Sequence, residues 1–243
     1  MKLTKLMLLL AVTMSTTIQA QWWGGEKVKG NGDEVTITRT VNTYDRIKVK
    51  GALDVELVAG SEGTITLKGE SNLLENIVTK VDNDQLKIYV EKGRYLKSTK
   101  GKSLKIIVPF STLNEVTLSG SGEVISKDVI KAKHFEGSLS GSGELNLQIE
   151  AESVEGNLSG SGEIVLKGSC TDFNANLSGS GDIEAFELKA SNADTVISGS
   201  GDIEVYATRF LKAIISGSGD IFYKGNPETT EKLVSGSGDI TER

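Results

Sequence analysis

Residues 177–183 read Leu-Ser-Gly-Ser-Gly-Asp-Ile, and this pattern, with Glu in place of Asp in the earlier copies, recurs seven times in the second half of the chain. The first serines of the copies are Ser119, Ser140, Ser159, Ser178, Ser198, Ser216 and Ser235, so the repeat length stays between 18 and 21 residues. A fixed period of about 20 residues is the mark of a solenoid. Around the motif the periodicity is 2. From Phe173, alternate residues run Phe173, Ala175, Leu177, Gly179, Gly181, Ile183 and Ala185, against Asn174, Asn176, Ser178, Ser180, Asp182 and Glu184. Apolar and small residues fall on one side and polar residues on the other, which is a strand pattern.

Twenty residues are too few for a βαβ unit, which takes 30 or more, but they suffice for one coil of short strands joined at corners. Each strand then pairs in parallel with its equivalent in the next coil, and identical residues stack about 4.8 Å apart. The predicted fold is all-β, a parallel β-helix whose coils of about 19 residues fill the C-terminal half. The glycines belong at its corners, where the chain needs positive φ and the interior leaves no room for a side chain. The serines are expected to satisfy local backbone groups there. Ser140, Ser142, Ser159, Ser161, Ser178 and Ser180 are also the candidate binding face, a flat array of stacked hydroxyls.

The acids form a column of their own: Glu123, Glu144, Glu163, Asp182, Asp202, Asp220 and Asp239. Like charges about 4.8 Å apart repel by roughly 0.9 kcal/mol per pair in water, and direct stacking of like charges is normally avoided in sheets. Three devices can offset this. Backbone N–H groups can bond the carboxylates at the corner, neighbouring lysines can neutralise the face, or Ca²⁺ can bridge coils through Glu144, Glu163, Asp182, Asp202, Asp220 and Asp239. The calcium reading has only one regular acid per coil to offer an ion that takes six to eight oxygens. No other cofactor is implied.

Residues 1–20 read as an export signal. Lys2 and Lys5 precede an apolar run from Leu6 to Val12, and Ile18-Gln19-Ala20 ends in a small residue. That run is too short to span a bilayer, so no integral span is expected in the mature chain. Residues 21–32, with Trp22 and Trp23, form a flexible stub; 33–118 form a β region that continues or caps the solenoid; 119–243 are the repeats. Asn72 to Asn76 is a candidate helical turn. Gly93 to Ser103 carries Arg94, Lys97, Lys100 and Lys102 without apolar periodicity, which reads as a solvated loop with a potential anionic-glycan contact.

Composition narrows the function. With 28 Gly, 2 Pro and 37% hydrophobic residues, the chain can build a core, and 5% aromatic content suits a narrow aliphatic tube. A net charge of −6 argues against nucleic acid or anionic lipid as partner. Cys170 is the only cysteine and falls on the inward side as a small hydrophobe. His134 is the only histidine, on the outward side, which excludes a multi-histidine metal centre and leaves one conceivable Ser-His pair with no motif around it. No catalytic residue is identified, and the chain is expected not to be an enzyme.

The run Tyr44-Asp45-Arg46-Ile47-Lys48-Val49, the strand Gly51-Ala52-Leu53-Asp54-Val55-Glu56-Leu57, the segment Gln85-Leu86-Lys87-Ile88 and the serial Ser-Gly-Ser-Gly-acid repeats together resemble the head GIN domain family of auto-transporter adhesins over about residues 35–240. The resemblance implies a right-handed parallel β-helix in an exported protein of Gram-negative bacteria, located in the periplasm, on the outer surface or secreted. It supplies no catalytic residue or ligand. Two function classes fit. The first is a binder or adhesin contacting a glycan, matrix protein or envelope protein through its repetitive polar face. The second is a non-adhesive envelope scaffold. A polysaccharide-acting enzyme comes third, because the acids recur in every coil with no local break for an active site. The last coil carries no helical cover, so homo-oligomers through the rod's end or side are a further expectation.

Overall fold

The computed structural model describes residues 25–243; the segment expected to be an export signal and the Trp22–Trp23 pair lie outside them. The described chain is almost entirely strand, and the repeats stack as parallel coils of a β-solenoid. Strands Ile130–Gly141, Glu144–Gly160, Glu163–Gly179, Asp182–Gly199 and Ile203–Gly217 follow one another, each pairing in parallel with the next. Leu139, Leu158, Leu177, Ile197, Ile215 and Val234 stack in one column, as do Leu145, Ile164, Ile183, Ile203, Ile221 and Ile240 in another. Where the repeat lengthens and then shortens, the register slips after Val165 and after Ala185, while the glycine corners on either side stay aligned.

The core is the tube predicted from parity. Phe135, Val154, Phe173, Ala193 and Leu211 stack beside Gly137, Gly156, Ala175, Thr195 and Ala213. Large and small residues complement each other. A Cβ on Gly156 would come into ordinary contact with Leu166 at 3.4 Å and with the Phe173 ring at 3.6 Å, so the column is closely packed there. Cys170 is buried, and desolvation together with the charge of Asp172 pushes its thiol up to about 12, so it stays protonated and unreactive.

The first half joins the same stack out of sequence order. Arg46–Lys50 lies between Gln85–Val90 and Glu115–Gly120, all parallel, and Asp54–Ala59 lies between Lys105–Phe110 and Glu123–Ser126. Asp54 pairs with Glu123 and is the first member of the acid column. The end is closed by antiparallel strands: Thr64–Glu70 pairs with Glu34–Thr40 and Lys105–Phe110, and Ile77–Asp82 pairs with Gln85–Val90. The predicted helical turn is present at Ser71–Leu74, and Arg39 caps it by donating from Nη2 to the Leu74 carbonyl at 2.8 Å.

Two sequence expectations need correction here. Glu26–Lys29, placed in the flexible stub, and Arg94–Lys97, placed in the solvated loop, form a two-stranded parallel flap. Apolar alternation misses them because each strand buries little: Val28 and Leu96 are half-buried on the inner face, Leu96 against the core. Glu70 holds the flap in place. Its carboxylate is buried and accepts from the Gly32 N–H at 2.6 Å, the Thr99 N–H at 2.8 Å and the Thr99 hydroxyl at 2.6 Å.

At the other end, Thr229–Gly236 and Ile240–Glu242 form an exposed coil with Leu233 61% and Val234 42% accessible. In this coil the inward column of Ala175, Thr195 and Ala213 continues as Lys232. Its ammonium lies 4.4 Å over the Tyr223 ring and donates to the Tyr223 hydroxyl at 2.9 Å. An inward-pointing charge is a recognised guard against edge-to-edge pairing.

Candidate functional site

Each Ser-Gly-Ser-Gly segment makes a corner, and its two glycines act differently. Gly160 has φ of +129°, a conformation side chains rarely adopt. Gly162 has no such dihedral, but a Cβ there would strike the Gly143 carbonyl oxygen and sit 2.7 Å from Leu139 Cδ2. The first glycine turns the chain, and the second lets successive coils close. Between them the second serine bonds through its backbone: Ser142, Ser161 and Ser180 donate their N–H groups to the carbonyls of Gly120, Gly141 and Gly160 at 2.8–3.0 Å.

The corner divides the six candidate serines. Ser140, Ser159 and Ser178 line one groove of about 460 Å³, while Ser142 and Ser161 line a second beyond the turn, of about 480 Å³. Ser180 continues the second column and lies in neither. Sequence parity put all six on one flat face because it ignores the rotation at the glycine. The expectation that the serines satisfy local backbone groups also needs correction. Their amides bond to the neighbouring coil, whereas the hydroxyls of Ser140, Ser159 and Ser178 face solvent with no hydrogen-bond partner among the described residues.

The first groove runs between two outward columns. One is the serine column; the other is Thr117, Ser138, Asn157, Asn176, Val196, Ile214 and Leu233, which sequence reading missed because its members are chemically unlike. The constant offset of two residues before each first serine was the available signal. Its polar half is oriented from a third column: Thr117, Ser138 and Asn157 donate to Glu115, Glu136 and Glu155 at 2.7–2.9 Å. Asn176 Nδ2 donates to Asn157 Oδ1 at 3.0 Å. No charged side chain lines this groove.

The second groove is acidic, with Asp54, Glu123, Glu144, Glu163 and Asp182 along it. Burial and neighbouring carboxylates raise Glu123, and burial followed by a hydrogen bond that the protonated Glu163 carboxyl donates to the Glu184 carboxylate raises Glu163. Farther along, Asp replaces Glu and the bonding changes. Asp182 Oδ1 accepts the Asp202 N–H at 2.9 Å, Asp202 Oδ1 the Asp220 N–H at 2.8 Å, and Asp220 Oδ1 the Asp239 N–H at 2.7 Å. A short carboxylate reaches the next coil's amide; in the Glu coils, the amides of Glu144 and Glu163 bond to glycine carbonyls instead. Among the described residues no three His, Cys, Asp or Glu side chains converge to hold one metal ion, so Glu144, Glu163, Asp182, Asp202, Asp220 and Asp239 are a column rather than a chelating set.

His134 is exposed, and its Nδ1 lies 2.8 Å from Ser153 Oγ. The stack continues to Asp172, which pairs with Ser153 rather than His134 and accepts from Asn192 at 2.7 Å. A serine–histidine relay needs its acid on the far side of the imidazole; here the acid lies beyond the serine. On the C-terminal coils, Lys189 covers the Tyr206 ring at 3.8 Å and Lys224 covers Phe186 at 3.9 Å, which leaves those aromatic faces occupied.

A family model described as "Putative auto-transporter adhesin, head GIN domain" matches residues 43–227. Among solved structures, one described as a putative lipid binding protein from Parabacteroides distasonis is 30% identical, with a TM-score of 0.75 over 90% of this chain and 100% of its own. A putative adhesin from the same species is 25% identical, with a TM-score of 0.70 and coverage of 90% and 100%. A putative adhesin from Bacteroides fragilis shares the fold at 21% identity and a TM-score of 0.81, covering 89% and 100%. No functionally curated protein matches the chain. No helix among the described residues is long and apolar enough to cross a membrane.

Proposed function

The chain belongs to the head GIN domain family of auto-transporter adhesins, and on that premise we propose that it is an exported, non-enzymatic binding protein whose uncharged groove takes a repeating neutral glycan. The observation that carries this is the unpartnered hydroxyl of one serine per coil beside an ordered row of hydroxyls and amides. Polar groups repeated about every 4.8 Å offer a polymer many weak contacts, whose effects multiply when they act together. The absence of charge along the groove favours sugar hydroxyls over ionic ligands. The glutamates behind the row hold its donors and acceptors in place, which lowers the ordering cost of binding.

The test is a neutral-polysaccharide array probed with wild-type protein, Ser159→Trp and Ser161→Trp. Both serines are exposed, so neither indole disturbs the core. Ser159→Trp fills the groove and abolishes retention; Ser161→Trp, beyond the corner, retains it. Equal loss or equal retention refutes the reading. Antibody labelling of intact against permeabilised cells then separates a surface adhesin from an envelope scaffold. Signal only after permeabilisation removes the adhesive role.

A further inference from the structure

Net charge argues against an anionic partner, but the charge is not evenly spread. Residues 25–32 and 91–102, which build and flank the flap, hold seven basic side chains and only two acidic ones. Arg94 is paired with Glu26 and Glu91, and Lys102 with Glu34. Lys27, Lys29, Lys92, Lys97 and Lys100 are exposed and have no ion-pair partner among the described residues. The register Lys27↔Tyr95, Val28↔Leu96, Lys29↔Lys97 turns Val28 and Leu96 inward and Lys27, Lys29, Lys97 and Tyr95 outward. Two lysines are therefore cross-strand partners, an arrangement that costs stability, and Tyr95 stands 48% exposed beside them.

We infer that the outer face of this flap is a docking surface for an anionic lipid surface. Three observations favour a membrane over a soluble polyanion. The four outward side chains project in one direction from a two-stranded ribbon, a flat patch that meets a plane rather than gripping a chain. Lysines with long apolar stems around an amphipathic tyrosine are the side chains that settle at a headgroup boundary. The flap is also fixed before contact, by Glu70 and by the Asn72 side-chain amide, which donates to the Lys29 carbonyl at 2.8 Å. The inference is independent of the glycan groove, which uses other residues.

The experiment is vesicle co-sedimentation of the full chain, with phosphatidylcholine vesicles alone or mixed with phosphatidylglycerol. Lys27→Glu, Lys29→Glu and Lys97→Glu are combined in one variant. A control of equal charge change combines Lys131→Glu, Lys133→Glu and Lys167→Glu on the solenoid. At about five-fold per lysine near an anionic surface, loss of the three lysines alone lowers partitioning roughly a hundred-fold, and the glutamates that replace them add repulsion to that. Tyr95→Ala, which leaves the charge intact, loses several-fold, and about 1 M salt removes the phosphatidylglycerol-dependent part in wild type. Equal partitioning onto neutral vesicles overturns the inference, as does equal loss in the control variant. Release from vesicles by soluble polygalacturonate at matched charge also overturns it, in favour of an acidic polysaccharide. If the triple variant melts differently from wild type, Tyr95→Ala alone decides: unchanged partitioning refutes the docking face.

Discussion

Replacing glycine by alanine at the two positions of one corner separates the two roles assigned to them. At Gly162 the backbone dihedral is permissive, so the cost of alanine is steric: a methyl 2.7 Å from Leu139 Cδ2, 3.1 Å from the Gly143 nitrogen and against the Gly143 carbonyl. None of these can retreat, because Gly143 is held between coils by the Glu163 N–H bond to its oxygen and Leu139 is packed in the core. Overpacking of this kind costs about 1–3 kcal/mol. At Gly160 the methyl meets the Gly141 carbonyl and lies 3.1 Å from its carbon, and φ of +129° adds backbone strain of about 1–3 kcal/mol. The expected losses are therefore about 2 kcal/mol for Gly162→Ala and about 4 kcal/mol for Gly160→Ala. In a domain of this size that is roughly 4–8 °C and 8–16 °C in melting temperature. Ser161→Ala, exposed between them, stays within about 0.5 kcal/mol of wild type. Thermal melts by circular dichroism read all three. Gly160→Ala melting with Ser161→Ala would refute the corner geometry, and Gly162→Ala doing so would refute the claim that coil spacing leaves no room for a methyl.

Stability is expected to rise as pH falls toward 4.5 through the raised values of three glutamates. Glu123, Glu163 and Glu204 are raised above their ordinary 4.5 by burial and neighbouring carboxylates, so the folded state takes up protons first; that contribution is complete below 4.5 and is lost as pH climbs through the raised values. Below 4.5 the trend reverses, because Glu56, held down by Lys105 and Lys127, and Glu62, held down by hydrogen bonds from Ser111 and Tyr44 despite burial, lose their contribution as pH falls through their lowered values. Glu163→Gln should flatten the rise just above 4.5; an unchanged profile removes Glu163 from the account. Lys232→Val replaces the inward charge of the last coil with an aliphatic residue, and light scattering after size exclusion should show larger, concentration-dependent species relative to wild type. An identical mass at all concentrations means that Lys232 does not guard the edge. Melts in millimolar Ca²⁺ and in EDTA should superimpose, since Asp182, Asp202 and Asp220 already accept backbone amides; a Ca²⁺-dependent shift of several degrees would restore the calcium column.

What the sequence made legible was whatever repeats. Phe173, Ala175, Leu177, Ile183 and Ala185 were placed inward by parity alone and all are buried. What it hid was whatever depends on distant pairing or on rotation within a motif. Lys50-Gly51-Ala52-Leu53 occupies the corner below Ser119-Gly120-Ser121-Gly122, with Gly122 closing over Leu53, yet shares only one glycine with it, so the place of Asp54 in the acid column was invisible. The flap escaped because its strands find their partners 68 residues apart, Glu26 with Arg94, and because what secures them is a buried carboxylate rather than an apolar face. The split of the serines escaped because Ser140 and Ser142 have the same parity but lie on either side of a glycine with φ of +130°.

The two grooves flank the same corners and meet opposite fates under repetition. Stacking multiplies every choice, so a side chain that is mildly unfavourable once becomes a serious cost in a column of seven. The acids survive by being consumed in structure: the Asp182, Asp202 and Asp220 carboxylates are each occupied by the next coil's amide, and in the Glu coils burial and crowding shift Glu123 and Glu163 toward the protonated form. The serines carry no such cost. Their hydroxyls stack without charge, their amides already serve the ladder, and nothing in the fold uses the oxygen that remains. Glycine at each corner explains why a side chain is absent there, but alanine would serve the backbone as well as serine at the exposed position before it. A hydroxyl kept in seven successive coils without a structural partner is the feature that the corner geometry leaves unexplained and that a ligand on the neutral groove would use. Alanine at Ser140, Ser159, Ser178 and Ser198 together tests this: melting within about 2 kcal/mol of wild type, at no more than 0.5 kcal/mol per exposed site, with retention on the glycan array lost. A large fall in melting temperature would instead return the serines to structure and leave the groove without its best support.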